Sequence, residues 1–271
     1  MVDEMKYHSA PVLLLVFNRP DLTKRVMQQV REVEPPKLFV GGDGPRAEQP
    51  DDPEKCEKAR EVATRVDWDC EVHTLFRDEN LGCKEAVSEA ITWFFEHVDA
   101  GIILEDDCVP HPTFFPYCTK LLNTYRDDER VMTISGNNFQ PDSRTYGHSY
   151  YFSAYMHCWG WATWRRAWKH YDGEIPSWDR LRDTEWLEGW LGSKMEATYW
   201  TEIFDRVRRN EIDSWAYPWT FACWRGHRLN VLPASNLVSN IGFDKRSTHT
   251  QNPNSDVAAL PVESIDRKSV V

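Results

Sequence analysis

Gly101-Ile102-Ile103-Leu104-Glu105-Asp106-Asp107-Cys108-Val109-Pro110 is a short apolar run that ends in three consecutive acids. Gly101 opens it, and Pro110 and Pro112 close it. An apolar run bounded by such breakers predicts an interior strand of a parallel sheet. In open α/β sheets, ligands bind beyond the carboxyl ends of the strands. At that end Glu105, Asp106 and Asp107 repel one another unless a cation is present. Hard divalent ions, Mg2+ or Mn2+, take one or two carboxylates and complete their shell with water and substrate phosphate oxygens. The triplet is therefore read as a metal–diphosphate platform. A solvated acidic turn is the plainer alternative, weakened by the buried strand that precedes it.

Working back toward the N-terminus, the same unit recurs. Val12 to Phe17 is an apolar run, and Asn18-Arg19-Pro20-Asp21 starts a helix with Pro20 in its first turn. Leu22, Val26 and Val30 give that helix its buried face. Lys37 to Val40 predicts a second strand, ending in Gly41-Gly42-Asp43-Gly44-Pro45. A helix from Asp51 or Asp52 follows and buries Cys56, Ala59, Ala63 and Val66. Val72 to Phe76 predicts a third strand, and Arg77-Asp78-Glu79-Asn80-Leu81-Gly82 leads into a helix with the stripe Ala86, Val87, Ala90, Ile91 and Phe94. Strict alternation with short connections is the pattern of a parallel sheet built from right-handed crossovers. Each strand ends in a polar cluster, so Asn18, Arg19, Asp43, Arg77 to Asn80 and Glu105 to Asp107 are expected along one rim.

Beyond Pro112 the sequence predicts a helix through Tyr125 and strands at Val131 to Ser135 and Tyr150 to Phe152. His157 to Trp164 reads as a tight aromatic turn leading into a short helix. Trp186 to Leu191 and Met195 to Arg208 read as helices, and Asp213 as the cap of a helix from Trp215 to Arg225. After Val238 the chain turns polar and irregular, and residues 250–271 read as a mobile tail. Of 13 tryptophans, only Trp68 and Trp93 precede residue 159. Most of the later ones must serve packing, while a few are suited to stack on sugar rings.

The totals exclude several classes. The formal net charge is -11 with no basic tail or stripe, which argues against nucleic acid as a main partner. The longest apolar runs are too short to span a bilayer, so no transmembrane segment is expected. Asp3 and Glu4 precede any apolar stretch, unlike a signal peptide. Seven scattered cysteines without a CxxC pair fit the reduced thiols of a cytoplasmic protein.

The expected rim has parts for one kind of ligand. Asp43 can accept from a base N–H or a ribose hydroxyl, and Arg19 and Arg77 can face phosphates. A cation on the triplet would stabilise charge building on a leaving diphosphate. Taken singly, each residue also has an ordinary role: Asp43 in a turn, Arg19 on a helix surface, Asn80 as a cap.

With these residues on one rim, the sequence resembles the GT-A nucleotide-sugar glycosyltransferases, within them the inverting N-acetylglucosaminyltransferase I type. The resemblance spans roughly residues 11–250. It is carried by Phe17-Asn18-Arg19-Pro20, by Asp43, by IILEDDCVPHPTFF from Ile102 to Phe115, and by Trp159-Gly160-Trp161. It implies a Rossmann-like α/β fold, with a mostly parallel sheet flanked by helices and an aromatic-rich acceptor half. Residues 1–125 would form the nucleotide-sugar half, 126–250 the acceptor half and 251–271 a flexible tail.

The resemblance also implies residue roles. Asn18, Arg19 and Asp43 would contact the nucleotide of a UDP-sugar, with Arg77 and Asn80 beside them. Asp107 would be the direct protein ligand of Mn2+ or Mg2+, and Glu105 and Asp106 would hold sugar and ribose hydroxyls. Gly242 to His249 would close over the donor, with His249 adding to the metal or diphosphate; a surface histidine is the alternative. Trp159, Gly160 and Trp161 would meet the acceptor. Inversion requires one general base. Asp213 is the first choice, although Tyr217 and Pro218 stand before Trp219 where the family's base directly precedes a tryptophan. Asp183 and Glu185 are the fallbacks.

The expected activity is thus an inverting, metal-dependent transfer from a UDP-sugar to a glycan or lipid-linked glycan. Peripheral contact with a membrane surface is compatible with it. A non-catalytic sugar or nucleotide-sugar binding module is the alternative. A nucleotidyltransferase would want a glycine-rich phosphate loop, which Phe17-Asn18-Arg19-Pro20 is not.

Overall fold

The apolar run Val12–Val16 forms β1, buried along its whole length. In this computed structural model, residues 9–140, 148–243, 252 and 255–265 are described. β1 pairs in parallel with β2 (Lys37–Gly42) on one side and β4 (Ala100–Glu105) on the other, and β3 (Glu71–Phe76) adds in parallel outside β2. The connections are α1 (Pro20–Arg31), α2 (Asp52–Thr64) and α3 (Cys83–His97). Pro20 stands in the first turn of α1, where its missing N–H costs nothing. Leu22, Val26 and Val30 are buried there, as their spacing predicts. β3 is the exposed edge, and Lys37 pairs with Glu71 across it. Charge on an edge strand discourages further pairing.

After β4 come β5 (Cys108–Pro110), α4 (Phe114–Thr124), β6 (Val131–Ser135), β7 (Tyr150–Ser153) and β8 (Trp161–Trp164). The chain continues through α5 (Arg165–Trp168), α6 (Trp178–Leu181), α7 (Trp186–Leu191), α8 (Lys194–Arg208), α9 (Ala216–Arg225), β9 (Leu229–Pro233) and β10 (Val238–Asn240). The main sheet runs β3-β2-β1-β4-β8-β6-β9-β7, and β5 and β10 form a separate antiparallel ribbon. The fold is α/β, with a large mixed sheet flanked by helices. Its first half is parallel, whereas β8 lies antiparallel to both β4 and β6. Among the described residues no helix is long and apolar enough to cross a membrane.

Three expectations need correction. Trp161–Trp164 is a strand in the middle of the sheet and not part of an aromatic turn. All four residues are buried, so no polar alternation marks it, and the Thr163 hydroxyl is satisfied by the Met132 carbonyl at 2.6 Å. A four-residue run buried on both faces carries no readable period. Secondly, residues 255–265 dock and are not a loose tail. The Ala259 N–H donates to Asn240 O, Glu263 N–H to Asn236 O, and Ile265 is 8% exposed. Burial of Ile265 and these backbone bonds tether the segment to β10 and the loop before it. Thirdly, Asp213 does not cap its own helix: α9 starts after Trp215 with no side-chain cap.

His157 supplies a stability prediction. Its Nδ1–H donates to Asn137 O at 3.1 Å, and its ring lies 4.5 Å from that of Phe139. Burial pushes its pKa below 6.5, against the opposing pull of the Asn137 carbonyl. Below about pH 6.5 the unfolded chain therefore binds a proton more readily than the folded one, and stability falls with pH. The melting temperature is expected to drop between pH 7.5 and 5.5, and to drop less in His157→Asn.

Candidate functional site

From β1 the chain steps outward through β2 to β3, then returns to the other side of β1 for β4. Such a reversal opens a crevice beyond the strand ends. A cavity of about 650 Å3 lies there. Asn18 and Arg19 reach it from the end of β1, Asp43 from β2, Arg77 and Asn80 from β3, and Glu105, Asp106 and Asp107 from β4. Trp159 and Asp213 border the same space. Of the rim expected from the sequence, all but Asp78 and Glu79 line this one cavity.

Asp106 and Asp107 are 3% and 6% exposed, and the Arg19 guanidinium is set against both. Arg19 Nη2 bonds Asp106 Oδ1 and lies 3.0 Å from Asp107 Oδ2, while its Nε is 3.3 Å from Asp106 Oδ2. Burial opposes the charge on Arg19, but Asp106 and Asp107 outweigh it and hold the guanidinium above its ordinary pKa. Burial, then Asp107 and Asp106, push the Glu105 carboxyl upward. Asp106 is also raised by burial, against the pull of Arg19. The backbone at Gly242 covers Asp107 so closely that a Cβ there would stand 2.0 Å from Oδ2.

This donor set is all oxygen, which fits a hard divalent cation, although the Arg19 guanidinium pairs with two of its carboxylates. Among the described residues, no three His, Cys, Asp or Glu side chains are grouped to hold a metal on their own. A cation here would rest on Asp107 and one neighbouring carboxylate, with the remaining oxygens supplied by water and substrate. His249 lies outside the described residues.

Asp43 is already fully engaged. It accepts from Gly44 N at 2.8 Å, Leu81 N at 3.0 Å, Asn80 Nδ2 at 2.8 Å and Gly82 N at 3.2 Å. A carboxylate offers about four acceptor positions. Asp43 therefore ties the loop after β2 to the loop before α3, and a nucleotide would have to take over one of these bonds. Burial pushes its pKa up against those same backbone donors. Asp43→Ala is expected to cost about 2 kcal/mol, read as a lower urea midpoint with unchanged slope.

Sequence reasoning missed the residues that brace the rim. Buried Asp52 accepts from Asn18 Nδ2 at 2.8 Å and from Arg46 Nε at 2.6 Å. Arg60 Nη2 donates to both Asp43 O and Arg77 O, and Arg77 itself pairs with Glu89 at 2.6 Å. These partners belong to different elements, and no local pattern announces them.

Asp213 caps α3 across the fold. Its Oδ2 accepts from Cys83 N at 2.9 Å and its Oδ1 from Lys84 N at 2.6 Å. Two N–H groups left unpaired at the helix start are thereby satisfied. The fallback acids lie outside the cavity lining; Asp183 pairs with Arg182 on the surface.

The aromatic assignment also needs correction. Trp161 is fully buried, stacked on Trp215 at 5.2 Å, and does not reach the cavity. Gly160 serves the turn into β8: its φ is +65°, and a Cβ there would stand 2.7 Å from Val238 Cγ2. Of the three residues expected to meet an acceptor, Trp159 alone lines the cavity, joined there by Trp200 and Tyr217. The latter pair comes from α8 and α9 and meets Trp159 only through the fold.

Cys83 and Cys158 also line the cavity. Burial, then Glu105, raise both thiols, Cys158 to about 12. Neither is poised as a thiolate nucleophile. A second cavity, about 840 Å3, lies at the opposite end of the sheet beside Ala100 and Trp164. It holds Arg126, Arg165, Arg166 and Lys169, but Arg166 is tied to the carbonyls of Tyr125, Arg126 and Val131. Arg165 is likewise held by Phe95 O and Asp99. These guanidiniums hold the structure together, and the rim cavity is the stronger candidate. No protein-family model and no curated protein matches the chain.

Proposed function

We propose that the chain is an inverting GT-A-type glycosyltransferase that moves a sugar from a UDP-sugar to a glycan or lipid-linked glycan hydroxyl, using Mn2+ or Mg2+. The supporting observation is the meeting of Asn18, Arg19, Asp43, Arg77, Asn80 and Glu105 to Asp107 on one cavity at the strand-order reversal.

Asp107, with Asp106 or Glu105 beside it, would hold the cation. When bound, that ion supplies a positive charge to the departing diphosphate. Arg19 and Arg77 bring further positive charge to the same rim. Asn18, Asn80 and the loop pinned by Asp43 frame the base and ribose. Trp159, Trp200 and Tyr217 give a sugar ring aromatic faces and keep water from it. The acceptor oxygen forms a bond to the anomeric carbon as the carbon–diphosphate bond breaks. Asp213 takes the acceptor's hydroxyl proton. Its two bonds to the start of α3 fix the carboxylate's direction and leave each oxygen a lone pair.

Calorimetric titration with UDP tests this. Binding is expected with Mn2+ and loss of binding in EDTA, and equal binding in both would remove the metal–diphosphate platform. The engagement of both Asp213 oxygens by α3 favours a second reading, a nucleotide-sugar binding module without turnover. Release of UDP from a panel of UDP-sugars in the presence of glycan acceptors separates the two.

A further inference from the structure

Arg19 stands where the acid pair meets positive charge. Its guanidinium bonds Asp106 through Nε and Nη2, and Nη2 lies 3.0 Å from Asp107 Oδ2. The side chain is 13% exposed, and both aspartates are more buried still. Buried like charges must be compensated by a partner charge, and removing that partner leaves a charge that a proton or another cation must neutralise. No Lys, His or other Arg forms an ion pair with Asp106 or Asp107 among the described residues.

We propose that Arg19 is a built-in counter-ion that occupies the acid pair until a nucleoside diphosphate arrives, making divalent-metal binding conditional on the nucleotide. The inference rests on the proposed UDP-sugar reading and goes past it, because it assigns Arg19 a second, opposing role. Alone, a divalent ion must displace a guanidinium that already satisfies Asp106 and Asp107. With a diphosphate present, the displaced guanidinium gains phosphate oxygens as new partners, and the ion gains the rest of its shell. The two ligands therefore assist each other through Arg19, and coupling of this kind is reciprocal.

The test is Mn2+ binding followed by electron paramagnetic resonance, with and without UDP, on the wild type, Arg19→Ala and Arg19→Lys. Arg19→Ala is expected to bind Mn2+ without UDP at least about tenfold more tightly than the wild type, while its affinity for UDP falls. Arg19→Lys keeps a charge but not the fork and is expected to fall between the wild type and Arg19→Ala in Mn2+ affinity. Equal Mn2+ affinity in the wild type and Arg19→Ala would overturn the inference. Should Arg19→Ala fail to fold, Arg19→Gln is the replacement, with the same two outcomes. Failure of the underlying reading has a different signature: no UDP binding by the wild type at any Mn2+ concentration.

Discussion

Asp107→Asn is expected to lower turnover of the UDP-sugar by about a thousandfold, near 4 kcal/mol of lost transition-state stabilisation. The substitution is nearly isosteric and removes one negative charge at the centre of the platform. The fold has little reason to notice. The Asp107 carbonyl still accepts from Ile241 N at 2.9 Å, and Arg19 loses the charge of Asp107 Oδ2 at 3.0 Å but keeps its bonds to Asp106. A melting temperature close to that of the wild type, together with UDP affinity that no longer responds to Mn2+, is the expected result. An Asp107→Asn variant with intact metal-dependent turnover would show that Asp107 does not hold the cation.

Asp213→Asn separates the two roles available to that carboxylate. As a general base its loss is worth about 10^2- to 10^4-fold in kcat. As a helix cap, Asn keeps one of the two acceptor oxygens but turns its NH2 toward the other backbone N–H, so the substitution is expected to cost about 1–2 kcal/mol of stability. Asp213→Ala removes both acceptors and is expected to cost about 1 kcal/mol more than Asp213→Asn. A large loss of kcat in Asp213→Asn, measured well below its melting temperature and with UDP binding retained, supports the base. Unchanged kcat would leave Asp213 as the cap of α3 and return the search for the base to the other acids of the cavity.

The parallel half of the fold is legible because its signals are local. Val12–Val16 and the run before Glu105 are short, apolar and bounded, and α1 repeats its apolar residues at helical spacing. The rim follows from topology, since the carboxyl ends of parallel strands share one edge. What escapes is non-local. Asp213 meets its partners Cys83 and Lys84 across 130 and 129 residues, and its position before Trp215 suggests a cap for the wrong helix. Asp43 sits in a glycine-rich loop that says nothing of its four donors. Trp161 looks like a ligand-stacking residue until β8 places it between β4 and β6. Fully buried short strands and residues that act across the fold carry no periodicity to read.

A crystal structure of the chain soaked with UDP and Mn2+ bears most directly on the whole account. The expected result is the ion on Asp107 with the diphosphate beside Arg19 and the base between Asn18 and Asn80. Nucleotide bound at the opposite end of the sheet, near Arg126 and Lys169, or bound at the rim with no ion beside Asp107, would contradict it.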